Sequence, residues 1–372
     1  MTTKEDRSSR PSGRATRDQV ARYLRDAILD GTYTAGARLP TAEELAEQLG
    51  ASNKTVLRGL AILGDEGFIV TQRHTGTFVT KTPPHLYECA LVLPLPDDEN
   101  AMDAQPLCKM LYDETQASNK RTAPWRVQPW FCEPDPDNPG KLTLDGHQQE
   151  ALAGGAIAGL IFPFDPTPLR GTPLLDQSGI ARVTFNRAAL PGVSRVTPDY
   201  WSLITAALDR VQAEGRSHVG IVLCSGLLRT EELIGGEARI REEVASRGLM
   251  MRDYDLIEGD RSASETLLRR MIHVLLDRPA GDRPDALIAA EDYFVEAVGA
   301  GVRDAGIAVP DDLLVMGFCS FPHRPNCAVP LIRFGFDVQA LFQEFVAAID
   351  RQRRDGQVSH SVLPPIFEDD YS

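Results

Sequence analysis

Long apolar runs are missing from this 372-residue chain. No stretch reaches the ~18 residues that a membrane helix needs, so no membrane partner is expected. The opening "MTTKEDRSSRPSGR" is polar and charged, without the apolar centre of a secretory signal, and the expected location is the cytoplasm. Cysteine is sparse: Cys89, Cys108, Cys132, Cys224, Cys319 and Cys327 are scattered, with no CxxC pair and no Cys/His group at zinc spacing. Reduced thiols and no metal site are the expectation. Lysine is almost absent after residue 86, where only Lys109, Lys120 and Lys141 occur, none of them after a late strand. That leaves no place for the Schiff-base lysine of a pyridoxal-phosphate enzyme. No P-loop, GxSxG elbow or HExxH is present. "GGAIAG" at 154–159 has the wrong spacing for a dinucleotide site and precedes an apolar run. His147, His218 and His323 stand alone. These absences exclude the common catalytic signatures, so neither an enzyme nor a cofactor is expected.

What charge there is lies unevenly. The chain carries −14 overall, yet residues 1–81 hold twelve Lys/Arg against ten Asp/Glu, and the remainder 27 against 43. A slightly basic head on an acidic body confines any nucleic-acid contact to the head.

Residues 1–15 read as a disordered arm, rich in Ser and Arg. From there to residue 81 the pattern is that of a small helical domain. Val20, Leu24, Ala27 and Ile28 form one helical stripe, closed by Gly31. "LPTAEELAEQLG" follows, with Thr41 and Glu44 at capping-box spacing. Ser52 caps a third helix with Val56, Leu60 and Leu63 inward, and "FIV" and "TFV" flank "TQRHTG" as a hairpin. Helix, glycine turn, helix and hairpin make a winged helix-turn-helix. Its third helix then presents Asn53, Lys54, Leu57 and Arg58 near its start, where a recognition helix meets base edges. Lysine and arginine neutralise phosphate or donate to guanine, asparagine pairs with adenine, and leucine touches a thymine methyl.

"LPTAEELAEQLGASNKTVLRGLAILGDEGFI" followed by "GTFV" resembles the GntR family of bacterial transcription regulators. The resemblance implies double-stranded operator DNA as partner. It places the DNA-contacting set at Arg38, Thr41, Ser52, Asn53, Lys54, Thr55, Leu57, Arg58, Arg73, His74 and Gly76. The family commonly has arginine where this chain has Glu43 and Leu57, and Gly-Arg-Gly where it has His74-Thr75-Gly76. An enzymatic α/β domain behind such a head is the alternative reading of the body.

After a proline-containing linker at 82–86, strand-like runs alternate with helical patterns through residues 87–372. Strands are expected at 89–94, 158–164, 181–186, 218–224, 254–259, 285–290 and 313–318, and helices at 199–214, 231–247, 262–277 and 292–305. Alternating β and α predicts parallel sheets, and about 290 residues exceed one compact core, so two α/β lobes are expected. Ligands of such sheets sit beyond the carboxyl ends of the strands. That rule selects the residues just after each run, a mixture of rings, carboxylates and guanidinium suited to a sugar-like molecule.

"GLIFPF", "VTFNR" and "PDALIAAEDYFVEAVGAGVRDAGIAVPDDLLVMGF" resemble the effector-binding region of the LacI/GalR family, which is related to periplasmic sugar-binding proteins. The combination is similar to arabinose-repressor-like hybrids. It implies a winged head followed by a two-lobed periplasmic-binding-protein-like domain: lobe 1 at about 87–197 and 331–355, lobe 2 at about 198–330 and 356–372. It further implies a homodimeric repressor whose small-molecule effector, a carbohydrate, sits between the lobes. The expected effector contacts are Phe164, Asp165, Arg187, Arg229, Asp292 and Phe321. Where the family reads "GFDD", this chain reads "GFCS", with Cys319 in place of a carboxylate.

Overall fold

The computed structural model describes residues 15–94, 106–119, 125–134, 142–185, 189–224, 236–259 and 265–371. In chain order the head supplies α1 (Arg17–Leu29), α2 (Ala42–Leu49), α3 (Asn53–Asp65), β1 (Ile69–Gln72) and β2 (Gly76–Val79). A turn of helix, α4 (Pro84–Tyr87), leads into β3 (Glu88–Pro94), α5 (Pro106–Ser118), β4 (Arg126–Pro134), β5 (Leu142–Thr143), α6 (Gly146–Ala153), β6 (Gly159–Phe162), α7 (Pro173–Asp176), β7 (Ala181–Thr184) and β8 (Ser194–Pro198). The remainder forms α8 (Tyr200–Ala213), β9 (Val219–Cys224), α9 (Gly236–Ser246), β10 (Leu256–Gly259), α10 (Glu265–Leu276), β11 (Ala286–Ala289), α11 (Asp292–Asp304), β12 (Leu314–Phe321), β13 (Ile332–Asp337), α12 (Val338–Asp355), β14 (His360–Leu363) and β15 (Ile366–Phe367). The chain divides into two compact units: residues 1–92, 117–160 and 169–181 in the first, and 93–116, 161–168 and 182–372 in the second.

In the first unit the head forms by local rules. Thr16 with Gln19, and Thr41 with Glu44, close complete capping boxes on α1 and α2. Gly50 ends α2 at φ 62°, the left-handed backbone that glycine takes without a Cβ penalty. The α1 stripe buries Val20, Ala21, Leu24 and Ile28 against Val56, Leu60 and Leu63 of α3 and Phe68. Each of the larger side chains in that set contributes about 1.5–3 kcal/mol by leaving water. β1 and β2 pair antiparallel from Ile69↔Val79 to Gln72↔Gly76, the expected wing. Behind it, Phe68 stacks on His85 at 5.8 Å, which ties α4 to the head.

In the second unit a six-stranded sheet runs β10-β9-β11-β12-β13-β15. Its first five strands are parallel and β15 is an antiparallel edge. Its strands read as continuous apolar runs because helices cover them: all of Ala286–Ala289 and Leu314–Phe321 is buried. α11 packs on α10 through Gly301, where a Cβ would stand 2.7 Å from the Arg269 carbonyl oxygen and from the Ile272 Cβ. Elsewhere in the unit, β8 pairs parallel with both β14 and β7.

The seven expected strands and four expected helices of the body all form; residues 186, 231–235 and 262–264 of those spans lie outside the described residues. β12 is longer than expected, reaching Phe321. β13 pairs with β12, and β14 with β8.

Candidate nucleic-acid interface and effector cavity

The candidate reading face belongs to α3. Ser52 starts the helix: its Oγ accepts from the Thr55 backbone N–H at 3.2 Å and lies 2.7 Å from Thr55 Oγ1. Val56, Gly59, Leu60 and Leu63 turn inward, and Gly59 lets α1 approach so closely that a Cβ there would meet Val20 at 2.8 Å. The helical period then leaves Asn53, Lys54, Leu57 and Arg58 facing out. Leu57 is 55% exposed, a large apolar side chain offered to solvent on the first two turns.

The neighbouring predicted contacts divide into two groups. Arg38 packs its guanidinium on Gly76 beside the hairpin turn of the wing, where a Cβ would come 2.8 Å from Nε, and its backbone bridges to Phe78. Arg73 and His74 are exposed in the hairpin turn, His74 at φ 64°. Thr41, Ser52 and Thr55 instead spend their hydroxyls within the head. Thr41 Oγ1 caps α2 and donates to Glu44, while Ser52 and Thr55 bond each other. The bond that the Thr41 backbone N–H donates to Glu44 holds that carboxyl below its ordinary value, so Glu44 is an occupied acid. Glu43, beside it on the first turn of α2, is exposed.

A cavity of about 770 Å³ opens in the second unit. Its walls come from the carboxyl ends of strands. Phe164 and Asp165 follow β6, Phe185 follows β7, Asp292 opens α11 after β11, and Ser320 and Phe336 come from β12 and β13. Thr184 Oγ1 donates to the Phe164 carbonyl at 2.9 Å and the Phe185 N–H to the Phe162 carbonyl at 2.9 Å, fixing one aromatic wall. Phe185 and Phe318 each lie under 6 Å from Phe336, in tilted contact. The Asp292 carboxylate is aimed by two donors, the Tyr293 N–H at 2.8 Å and the Ser320 hydroxyl at 3.3 Å. It also sits at the start of α11, where the helix dipole favours negative charge.

Three of the expected effector residues, Phe164, Asp165 and Asp292, are thus brought to one cavity. Phe321 is not: it is 0% exposed and stacks on Tyr371. Because β12 continues to Phe321, side-chain alternation sends Phe318 and Ser320 to the cavity and Cys319 and Phe321 to the other face. Cys319 donates its thiol proton to the His323 carbonyl, and burial pushes its pKa up to about 12. Arg187 and Arg229 lie outside the described residues. Phe185, Tyr200, Phe336 and the 323–326 loop line the cavity without having been selected from the sequence. Phe185 alone had a usable signal, directly after "RVT". His323 is at the cavity rim, whereas His218 is buried and bonded to Asp255 at 2.6 Å.

Comparison with known proteins divides along the same line. Residues 16–79 match the gntR family of bacterial regulatory proteins, and 209–367 match the periplasmic binding protein-like domain. The uncharacterized HTH-type transcriptional regulator Rv0494 of Mycobacterium tuberculosis is 34% identical over 82 residues, covering 22% of this chain and 34% of that protein. Catabolite control protein A of Priestia megaterium is 31% identical over 130 residues, covering 34% of this chain and 36% of that protein. The chain therefore spans about a third of the length of each of these curated relatives. Among solved structures, a LacI-family regulatory protein from Chloroflexus aggregans superposes with a TM-score of 0.54 at 14% identity, over 75% of this chain and 96% of that one. The transcriptional regulator CelR–cellobiose complex does so at 0.53 and 18% identity, over 88% and 98%. The chain joins a gntR-type winged helix-turn-helix head to a periplasmic-binding-protein-like body with the fold of LacI-family regulators.

Proposed function

We propose that this protein is a DNA-binding transcription regulator. It acts as a homodimeric repressor whose operator affinity is set by a small polar effector held in the cavity of the second unit. The observation that carries the reading is the α3 surface: Asn53, Lys54, Leu57 and Arg58 stand exposed on a helix whose other face is head core. Nothing in the packing of the head needs those four side chains, and base-edge and phosphate contact does. For the effector, the support is a wall of phenylalanine rings facing an oriented carboxylate and a hydroxyl. Rings cover the apolar face of a sugar and oxygen acceptors take its hydroxyl protons. CelR, of the same fold, is seen with cellobiose. The cavity serves binding that biases the head, without turnover.

The test has two arms. Fluorescence anisotropy with promoter fragments from the protein's own genomic neighbourhood should show binding at low ionic strength that weakens steeply with salt. Thermal-shift screening of mono- and oligosaccharides should find a stabilising ligand. At 100 times its dissociation constant such a ligand adds about 2.7 kcal/mol. Absence of binding to every fragment at low salt overturns the regulator reading. A DNA-binding protein that no carbohydrate stabilises overturns the effector class alone.

A further inference from the structure

The walls of the 770 Å³ cavity are uneven in charge. Asp165, Glu291, Asp292 and Glu296 bring four carboxylates, and Arg324 is the one Lys or Arg among the described lining residues. That guanidinium is hardly spent on the protein. Its Nε lies 3.0 Å from Glu368 Oε1 as an ion pair, and neither of its Nη groups hydrogen-bonds to a described residue. Arginine carries five N–H donors in a fixed fork, so Arg324 brings unspent donors to a wall rich in carboxylate acceptors.

The carboxylate behind it is anchored. Glu368 opens the turn that follows β15, and β15 is held on β13 by the register Phe334↔Phe367. Tyr371 closes the same turn and stacks on Phe321 at 4.8 Å, while Asp369 lies 3.5 Å from Arg210. The second oxygen of Glu368, Oε2, accepts from Arg333 Nη1 at 3.2 Å. Glu368 therefore stays fixed to β13 whether or not Arg324 keeps its place. The side chain of Arg324 is 54% exposed and that of Glu368 29%. A fixed acid thus holds a guanidinium at the cavity rim. An ion pair so exposed adds little to stability, and its position over the cavity asks for another role.

We propose that Glu368, acting through Arg324, sets the charge class of the effector: the cavity takes an uncharged saccharide and rejects the corresponding sugar acid. Arg324 donates to neutral oxygens of the ligand. Its charge is already met by Glu368, so it offers hydrogen bonds without the surplus charge that would draw an anion. A ligand carboxylate would have to take Arg324 from Glu368 while standing among four other carboxylates. Specificity of this kind comes from the repelled competitor as much as from the ligand that fits. Arg324 is then a binding residue and Glu368 a positioning residue that touches no ligand. The inference rests on the carbohydrate reading of the proposed function and narrows it.

Isothermal titration of the full chain tests it with two matched pairs, glucose against glucuronate and galactose against galacturonate. The proteins are wild type, Glu368→Gln, Glu368→Asp, Arg324→Ala and the Glu368→Gln/Arg324→Ala double variant. Wild type should bind the neutral member of at least one pair about tenfold or more tighter than its acid. Glu368→Gln leaves Arg324 with an unmet charge, so the neutral-to-acid ratio should fall about tenfold. Glu368→Asp keeps the charge and should keep the neutral preference. Arg324→Ala, which removes a half-exposed side chain that folding does not need, should weaken the neutral member about tenfold. On that background Glu368→Gln should move the ratio by less than about twofold, because its effect passes through Arg324. A mere structural role for Glu368 would weaken both members alike and leave the ratio in place. The proposal is overturned by a wild type that prefers either acid, by a ratio that Glu368→Gln does not move, or by one that it moves equally without Arg324. It is also overturned if neither pair binds. The two readings fail differently: a carbohydrate that stabilises the protein beside an unmoved ratio removes this inference alone, whereas a protein that no carbohydrate stabilises removes the effector class as well.

Discussion

At the scale of single residues the two sites make opposite demands. A side chain that reads DNA must be free, and one that grips a small molecule must be held. Lys54 is free: it is exposed on the first turn of α3, and no ion pair with another described residue holds it. If it neutralises a phosphate, Lys54→Ala should weaken binding to all DNA sequences by a similar factor and lower the slope of log K against log salt by about 1. A salt titration that superposes on wild type removes Lys54 from the interface. Asp292 is held, by the Tyr293 N–H and the Ser320 hydroxyl. Asp292→Ala should abolish the thermal shift and the operator response produced by whichever carbohydrate stabilises the wild type, with operator affinity itself unchanged. Loss of operator binding in that variant would make Asp292 a structural residue. Legibility at this scale followed the same division. Exposed α3 positions could be read from helical period alone, because the inward set is a run of aliphatic residues. The place of Phe321 is not legible in the sequence, because one short motif cannot say where a buried strand stops. Three more strand residues, Cys319 to Phe321, decide which side chains face the cavity.

At the scale of elements, the chain is most legible where structure is local. The Thr41 capping box, the Ser52 cap and the Gly50 stop bond within a few residues of themselves, and α2 and α3 could be placed from them, as α1 could from its apolar stripe. Continuous apolar runs gave β9, β11 and β12 because strands covered on both faces lose their alternation. β13 was not read: "IRFGFD" interrupts its rings with Arg333 and Gly335, and its buried centre is only Phe334 to Phe336. β8 and β14 are equally short, and each gains stability from a partner far away in sequence, β14 pairing with β8 across some 160 residues. Such pairings have no local signature. Close helix packing is legible only in part. "GAG" inside α11 could be seen, but not that a Cβ at Gly301 would fall 2.7 Å from the Arg269 carbonyl oxygen, well inside van der Waals contact. Gly301→Ala should gain about 1 kcal/mol in helix propensity and lose more by prising α10 from α11. The expected net result is destabilisation of about 1–3 kcal/mol, measured by denaturant midpoint at unchanged m. A more stable Gly301→Ala variant would show that the two helices can slide apart freely.

At the scale of the whole molecule, the distribution of charge and the two sites constrain each other. A body of net negative charge repels DNA, so the salt-dependent attraction must come from the head, whose excess over its own acids is small. On the proposed homodimeric reading, operator affinity is the sum of a modest local attraction and the geometric match of two heads to two major grooves about 34 Å apart. A ligand needs to disturb only that match. Differential binding worth about 1–3 kcal/mol changes operator affinity by roughly 5–150-fold. The linkage is reciprocal by thermodynamic necessity: if the effector lowers operator affinity by some factor, operator DNA must lower effector affinity by the same factor. Isothermal titration of the stabilising carbohydrate into free protein and into protein saturated with operator should therefore give dissociation constants whose ratio equals the effector-induced change in operator affinity. Equal constants, beside a ligand that still stabilises the protein, would mean that cavity and head do not communicate. The body would then be a passenger on a DNA-binding domain, and repression would have to be controlled by something other than the occupant of the 770 Å³ cavity.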